Sequence, residues 1–175
     1  MKIEHLKEMI ENVGKRIPED GDWKPTLILE SKSTGISIIG VDVEMKDQLD
    51  RDIAAGVIRQ RCRERKADTA VWINTAWQLV VHGTPDSEQV QTALRQGREH
   101  TICERDDKRE VVAAVIATRD GQGDGMIVGD IIRSDSHPRV KWHDEPWQDT
   151  RLSGTFPEAL KEGVRSWKED GDATA

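Results

Sequence analysis

Tyrosine is absent from this chain and phenylalanine occurs once, so large aromatic burial falls almost wholly on Trp23, Trp72, Trp77, Trp142, Trp147 and Trp167. Each indole taken into a core brings an N–H that needs an acceptor. Cysteine is scarce too. Cys62 and Cys103 could form at most one bridge. The opening residues MKIEHLKEMIENV are too charged for a secretory apolar segment, so both cysteines read as free thiols in a cytoplasmic protein. No apolar run reaches the roughly 18 residues that span a bilayer. Positive charge is in deficit: 26 Lys and Arg against 33 Asp and Glu leave a net charge of −7. That balance opposes counterion-releasing attraction to a phosphate backbone and disfavours nucleic acid as a partner.

What is present suffices for a core. The 175 residues can bury one without disulfide or metal staples, and the apolar 35% is gathered into periodic runs rather than diluted among the charged 34%. We read one domain over 1–168 and a frayed tail over 169–175, with neither internal repeat nor linker.

Ile3, Leu6, Met9, Ile10 and Val13 recur at helical spacing, which predicts an amphipathic helix to about Arg16. TLILES and ISIIGVDVEM, separated by KSTG, read as a β-hairpin. From Asp47 a helix follows whose apolar stripe is Leu49, Ile53 and Val57, widened by Ala54 and Ile58. TAVWINTAWQLVV alternates as a strand, with Val71, Ile73, Trp77, Leu79 and Val81 on a core face. Its other face, carrying Trp72 and Asn74, mixes apolar and polar groups, as where a helix or loop covers it in part. TPDSEQVQTALRQG has helix start and stop signals in Asp86, Gln89 and Gly97. EVVAAVIAT and MIVGDIIR flank RDGQGDG as a second hairpin, RVKWH reads as an edge strand, and Thr155, Pro157 and Glu158 open a last helix with Leu160, Val164 and Trp167 buried. Together these predict an α+β fold, a mostly antiparallel sheet of five or six strands with helices packed on it.

Few residues carry chemistry at a useful spacing. DGQGDG matches the start of a calcium loop at Asp120, Gln122, Asp124 and Gly125, but Ile131 stands where a bidentate glutamate belongs and strands flank it. It reads as a plain turn. His137, His143, Asp144 and Glu145 could bind a first-row metal, yet six residues of strand would hold the two histidines about 20 Å apart. Arg59, Arg61, Arg63, Arg65 and Lys66 form the one dense basic patch, read as a solvated helix face rather than a seat for an anionic partner.

Asp42, Glu44 and Lys46 end a strand just before a helix, and the order of elements around them resembles the core of the restriction-endonuclease-like family. That resemblance covers about the first 80 residues and implies carboxylates holding Mg²⁺ beside a lysine that assists attack by water. The acid-x-Lys triplet is unspecific, since it also occurs at Asp22, Glu30, Glu64 and Asp106. A second likeness spans AVWINTAWQLVV and KREVVAAVIATRDG. Ala76, Trp77, Arg109, Glu110, Arg119, Asp120 and Gly121 look like the pattern in small uncharacterised α+β proteins of bacteria and their phages, and it implies a sheet rather than an activity.

The sequence therefore favours a non-catalytic protein-binding or regulatory protein, encoded by a phage or other mobile element, with no cofactor, no metal and no membrane partner. Its contact residues are expected among Trp147, Trp142, Trp72 and Asn74. The competing expectations are a Mg²⁺-dependent nuclease or hydrolase using Asp42, Glu44 and Lys46, and a small-ligand sensor using Trp72 and Asn74.

Overall fold

The computed structural model describes residues 1–15, 23–42, 47–78, 87–88, 91–92, 109–133, 137–143 and 154–167. They form α1 (Ile3–Gly14), β1 (Thr26–Ser31), β2 (Gly35–Gly40), α2 (Gln48–Glu64), β3 (Thr69–Gln78), β4 (Arg109–Thr118), β5 (Gly125–Ile132), β6 (Arg139–Trp142) and α3 (Thr155–Arg165). All six strands join one antiparallel sheet in the order β2-β1-β3-β4-β5-β6. This is the α+β architecture that the periodicities predict. The helix expected over Asp86–Gly97 lies almost wholly outside the described residues; within it, Gln91 N donates to Ser87 O at 3.0 Å.

Both predicted hairpins form, but β2 stops at Gly40, so Asp42 follows the strand instead of ending it, and residues 43–46 of the predicted arm lie outside the described residues. β1 turns into β2 between the paired Ser31 and Gly35, and Gly35 takes φ +71°, a left-handed value that other residues adopt at a cost. Between β4 and β5, Asp124 accepts from Thr118 N at 2.9 Å and Asp120 from Gln122 N at 3.0 Å. The carboxylates that give DGQGDG its calcium-like spacing thus pin the turn itself.

Helices cover both faces. Leu6 and Ile10 of α1 pack with Trp23, Ile28, Val71, Ile73, Val112, Ala114 and Ile127 on one. On the other, Ala54, Ala55, Ile58 and Cys62 of α2 and Ala159, Leu160 and Val164 of α3 pack with Leu27, Leu29, Ala70, Trp72 and Ala117. β3 is therefore sandwiched. Val71 and Ile73 point toward α1 as alternation predicts, but Ala70 and Trp72 are buried just as completely beneath α2 and α3, so the second face is core along that half.

Two helices depart from the sequence reading. In α2 the buried stripe is Ala54, Ala55, Ile58 and Cys62, while Leu49 and Ile53 face solvent and Val57 is half-buried. The helix is turned so that its small residues, not its large ones, meet α3. Gly154, rather than Thr155, occupies the N-cap of α3, with Glu158 Oε1 accepting from Gly154 N at 3.3 Å. Trp167 lies beyond the end of α3, its Nε1 donating to Ala67 O at 2.9 Å. The α2–α3 seam is clasped by Arg59 and Arg63, which bind Glu162 at 2.6 and 3.2 Å, and by Arg63 Nε donating to Ser166 Oγ at 2.8 Å. Part of the basic patch is thereby spent inside the fold.

Candidate functional site

β2 borders the sheet, with β1 as its one neighbour in it. Among the described residues no strand pairs with its outer side, an arrangement that proteins usually blunt with lysine, proline or a bulge. Here neither residue is present: from Ser33 to Val41 the chain carries no charge and no proline. Cross-strand pairing sets the two faces of β2. Ile39 stands opposite Leu27 and packs toward α2, whereas Ile38 and Ile36 stand opposite Ile28 and Glu30 on the α1 side. α1 does not cover them, and they remain 54% and 44% exposed.

Above the opposite face, α2 lies over β1 and β2, because Ala54, Ala55 and Ile58 share a cluster with Leu27, Leu29 and Ile39. Its flank turned from Arg59 and Arg63 carries Ile53 and Val57, with Leu49 one turn earlier; Leu49 and Ile53 are 66% and 49% exposed. Five large hydrophobic residues are exposed among the described residues, and four of them flank the β2 edge, Ile36 and Ile38 on the α1 side of the sheet and Leu49 and Ile53 on α2 over the other side; the fifth is Ile132. In a chain so rich in charge, that concentration is the main apolar feature of the described surface. Opposite charges fringe it: Lys24 Nζ lies 3.5 Å from Asp42 Oδ1, both side chains being exposed, and Lys32 is exposed in the hairpin turn. Sequence reasoning missed the corner by treating ISIIG as ordinary hairpin and the large α2 residues as core; the readable signal was nine uncharged residues in a row.

The residues singled out from the sequence are dispersed. Trp147, Glu44 and Lys46 lie outside the described residues, as do Asp144 and Glu145. Asp42 projects into solvent beside Lys24. Trp142 is half-buried on β6, its Nε1 donating to Glu11 Oε1 at 2.8 Å and its ring facing Lys7 Nζ at 5.7 Å. Trp72 is closed into the core, stacked on Phe156 with ring centroids 5.0 Å apart; its Nε1 is shielded and meets no acceptor among the described residues. Asn74 is half-buried on β3, opposite Ala113. Trp72 and Asn74 share a face of the sheet, and Trp142 sits on the other with Val140.

Three titratable groups meet where β4, β5 and β6 lie side by side. His143 Nε2 lies 3.1 Å from Asp130 Oδ1, which Arg109 approaches at 3.9 Å through the other oxygen. His137 is at the far end of β6, and no group of three His, Cys, Asp or Glu able to hold a metal occurs among the described residues. Burial pushes the Cys62 thiol up to about 12, so it is no nucleophile at neutral pH. Hydrogen bonds from Gln122 N and Thr118 hold Asp120 below its usual range, and those from Gln60 and Arg61 do the same for Glu64.

A cavity of about 850 Å³ opens at the end of the sheet among Lys32, Asp68, Thr118, Arg119, Asp120 and Gln122. Two of its carboxylates and its arginine are engaged: Asp68 Oδ2 accepts from the Lys32 backbone N at 3.0 Å, Asp120 holds the turn, and the Arg119 guanidinium lies 3.9 Å from the Trp167 ring centre. No helix among the described residues is long and apolar enough to cross a membrane. No protein family, curated protein or solved structure matches this chain.

Proposed function

We propose that this is a non-catalytic binding protein of the cytoplasm, which engages another polypeptide through the β2 edge and the adjoining flank of α2. The observation that carries the reading is the exposure of Ile36 and Ile38 on an edge strand without charge, with Leu49 and Ile53 exposed on the helix that covers the strand's other face. Open strands accept a further strand through main-chain hydrogen bonds, and flanking apolar side chains supply the buried area. The short likeness to bacterial and phage proteins suits a regulator encoded by a mobile element.

Affinity capture from the native host tests this. The wild-type chain should retain a polypeptide partner that the folded double variant Ile36→Lys/Ile38→Lys does not. Equal capture by both chains would refute the assignment of this corner. A thermal-shift screen with Mg²⁺, Mn²⁺, Zn²⁺ and nucleotides supplies the contrast with catalysis or sensing, because a ligand at a hundred times its dissociation constant stabilises by about 2.7 kcal/mol.

A further inference from the structure

The same corner has a self-complementary pattern, and we infer that its occupant is a second copy of this chain, paired β2 to β2 across a twofold axis. The inference rests on the protein-binding reading and names the partner. An axis perpendicular to the sheet through Ser37 pairs residues antiparallel, so that Ile36 of each copy stands opposite Ile38 of the other. The α1-side face then gains a quartet of isoleucines, directly opposed at the separation where cross-strand pairs interact. Moving the axis one residue either way sets one isoleucine of each copy against Thr34 or Gly40, so this register alone matches both.

Two further features follow from the same operation. Because α2 lies over β1 and β2 with Ile53 and Val57 on the flank turned from α3, the axis brings that flank toward its own copy on the opposite face of the joined sheet. One contact thereby covers apolar groups on both sides, as an isologous interface requires. The register also carries Asp42 of each copy to the hairpin turn of the other, where Lys32 is exposed. Each copy bears a net charge of −7, so close approach is least opposed along a strand that has no charge and ends in a complementary pair.

Sedimentation of the purified chain over a range of concentrations, combined with hydrogen exchange, tests the inference. The expected result is a species of twice 19.7 kDa whose β2 amides exchange slowly, giving way on dilution to a monomer whose β2 amides exchange fast. Ile36→Lys/Ile38→Lys sets ammonium groups directly opposite one another and should weaken association by about 100-fold or more. For the register, Ser37→Cys in a Cys103→Ser background should cross-link to its own copy under mild oxidation, while Ser33→Cys, facing Val41 of the other copy, should not.

A monomer at every concentration, a dimer whose β2 amides exchange as fast as the monomer's, or preferential cross-linking at position 33 would overturn the inference. Should the double lysine variant fail to fold, exchange in the wild-type chain and the Ser37→Cys cross-link still decide it. The broader reading fails separately, when capture of a heterologous partner by a folded, monomeric chain is unaffected by substitutions in this corner.

Discussion

Gly163 of α3 lies directly against Cys62 of α2: a Cβ on the glycine would sit 2.8 Å from the cysteine Cβ and 3.1 Å from its Sγ. The Arg59 backbone, with its Cα at 3.3 Å, closes the third side. The two helices can approach only because neither carries bulk at the crossing. Gly163→Ala must therefore push them apart, disturbing the packing of Ile58 and Leu160 beneath. Overpacking of this kind costs about 1–3 kcal/mol. Urea denaturation should show that loss, although alanine ordinarily favours a helix by about 1 kcal/mol over glycine.

At the C-terminal end of α2, Lys66 adopts φ +46°, Lys66 N donates to Arg63 O at 3.1 Å, and Ala67 N donates to Cys62 O at 3.0 Å. These bonds make a Schellman motif with lysine where glycine is the natural occupant. Lys66→Gly should stabilise the protein by about 1 kcal/mol, the left-handed penalty being about 1–2 kcal/mol and partly offset by glycine's greater freedom when unfolded. A rise in urea midpoint at unchanged slope is the expected readout.

Cys62 gives a pH dependence of known sign. Its thiol ionises near 9.0 in the open chain and at about 12 in the fold, with burial as the largest cause. Below 9 both states hold the proton and the contribution to stability is complete. Between 9 and 12 the unfolded state ionises first, so stability falls as pH rises. Cys62→Ala should reduce that alkaline loss. In a Cys103→Ser background, the native protein at pH 8 should react with a disulfide reagent only on unfolding.

Much of the architecture was legible because it rests on local chemistry. The Gly35 hairpin, the start of α2 at Asp47, whose carboxylate accepts from Asp50 N at 2.9 Å, and the inward face of β3 at Val71 and Ile73 all follow from turn residues and apolar periodicity. The facing of α2 was not legible. Periodicity favoured Leu49, Ile53 and Val57 because they are large, but a helix crossing close to Gly163 needs small residues, and Ala54, Ala55 and Cys62 supply them. The large residues were thereby turned outward. The candidate surface escaped for the same reason, since a stripe counted as core leaves nothing to explain. Trp72 was likewise ambiguous: only the placement of α2 and α3 over β3, set by contacts distant in sequence, decides that its ring stacks on Phe156.

Leu49 and Ile53 separate a binding role from a structural one. Side chains that remain half-exposed or more contribute little to the fold, and substitutions at such surface positions usually change stability by less than about 0.5 kcal/mol. Leu49→Gln/Ile53→Gln should therefore unfold in urea almost with the wild type. Ile58→Ala, on the buried side of the same helix, should cost about 2–5 kcal/mol through lost burial and the cavity left behind. If the outward stripe covers a partner, the glutamine pair should weaken that association at nearly unchanged stability. If the stripe instead packs within the monomer, the pair should lower stability as a core substitution does. Urea midpoints for the two variants, read beside their binding to the wild-type chain, make that comparison directly.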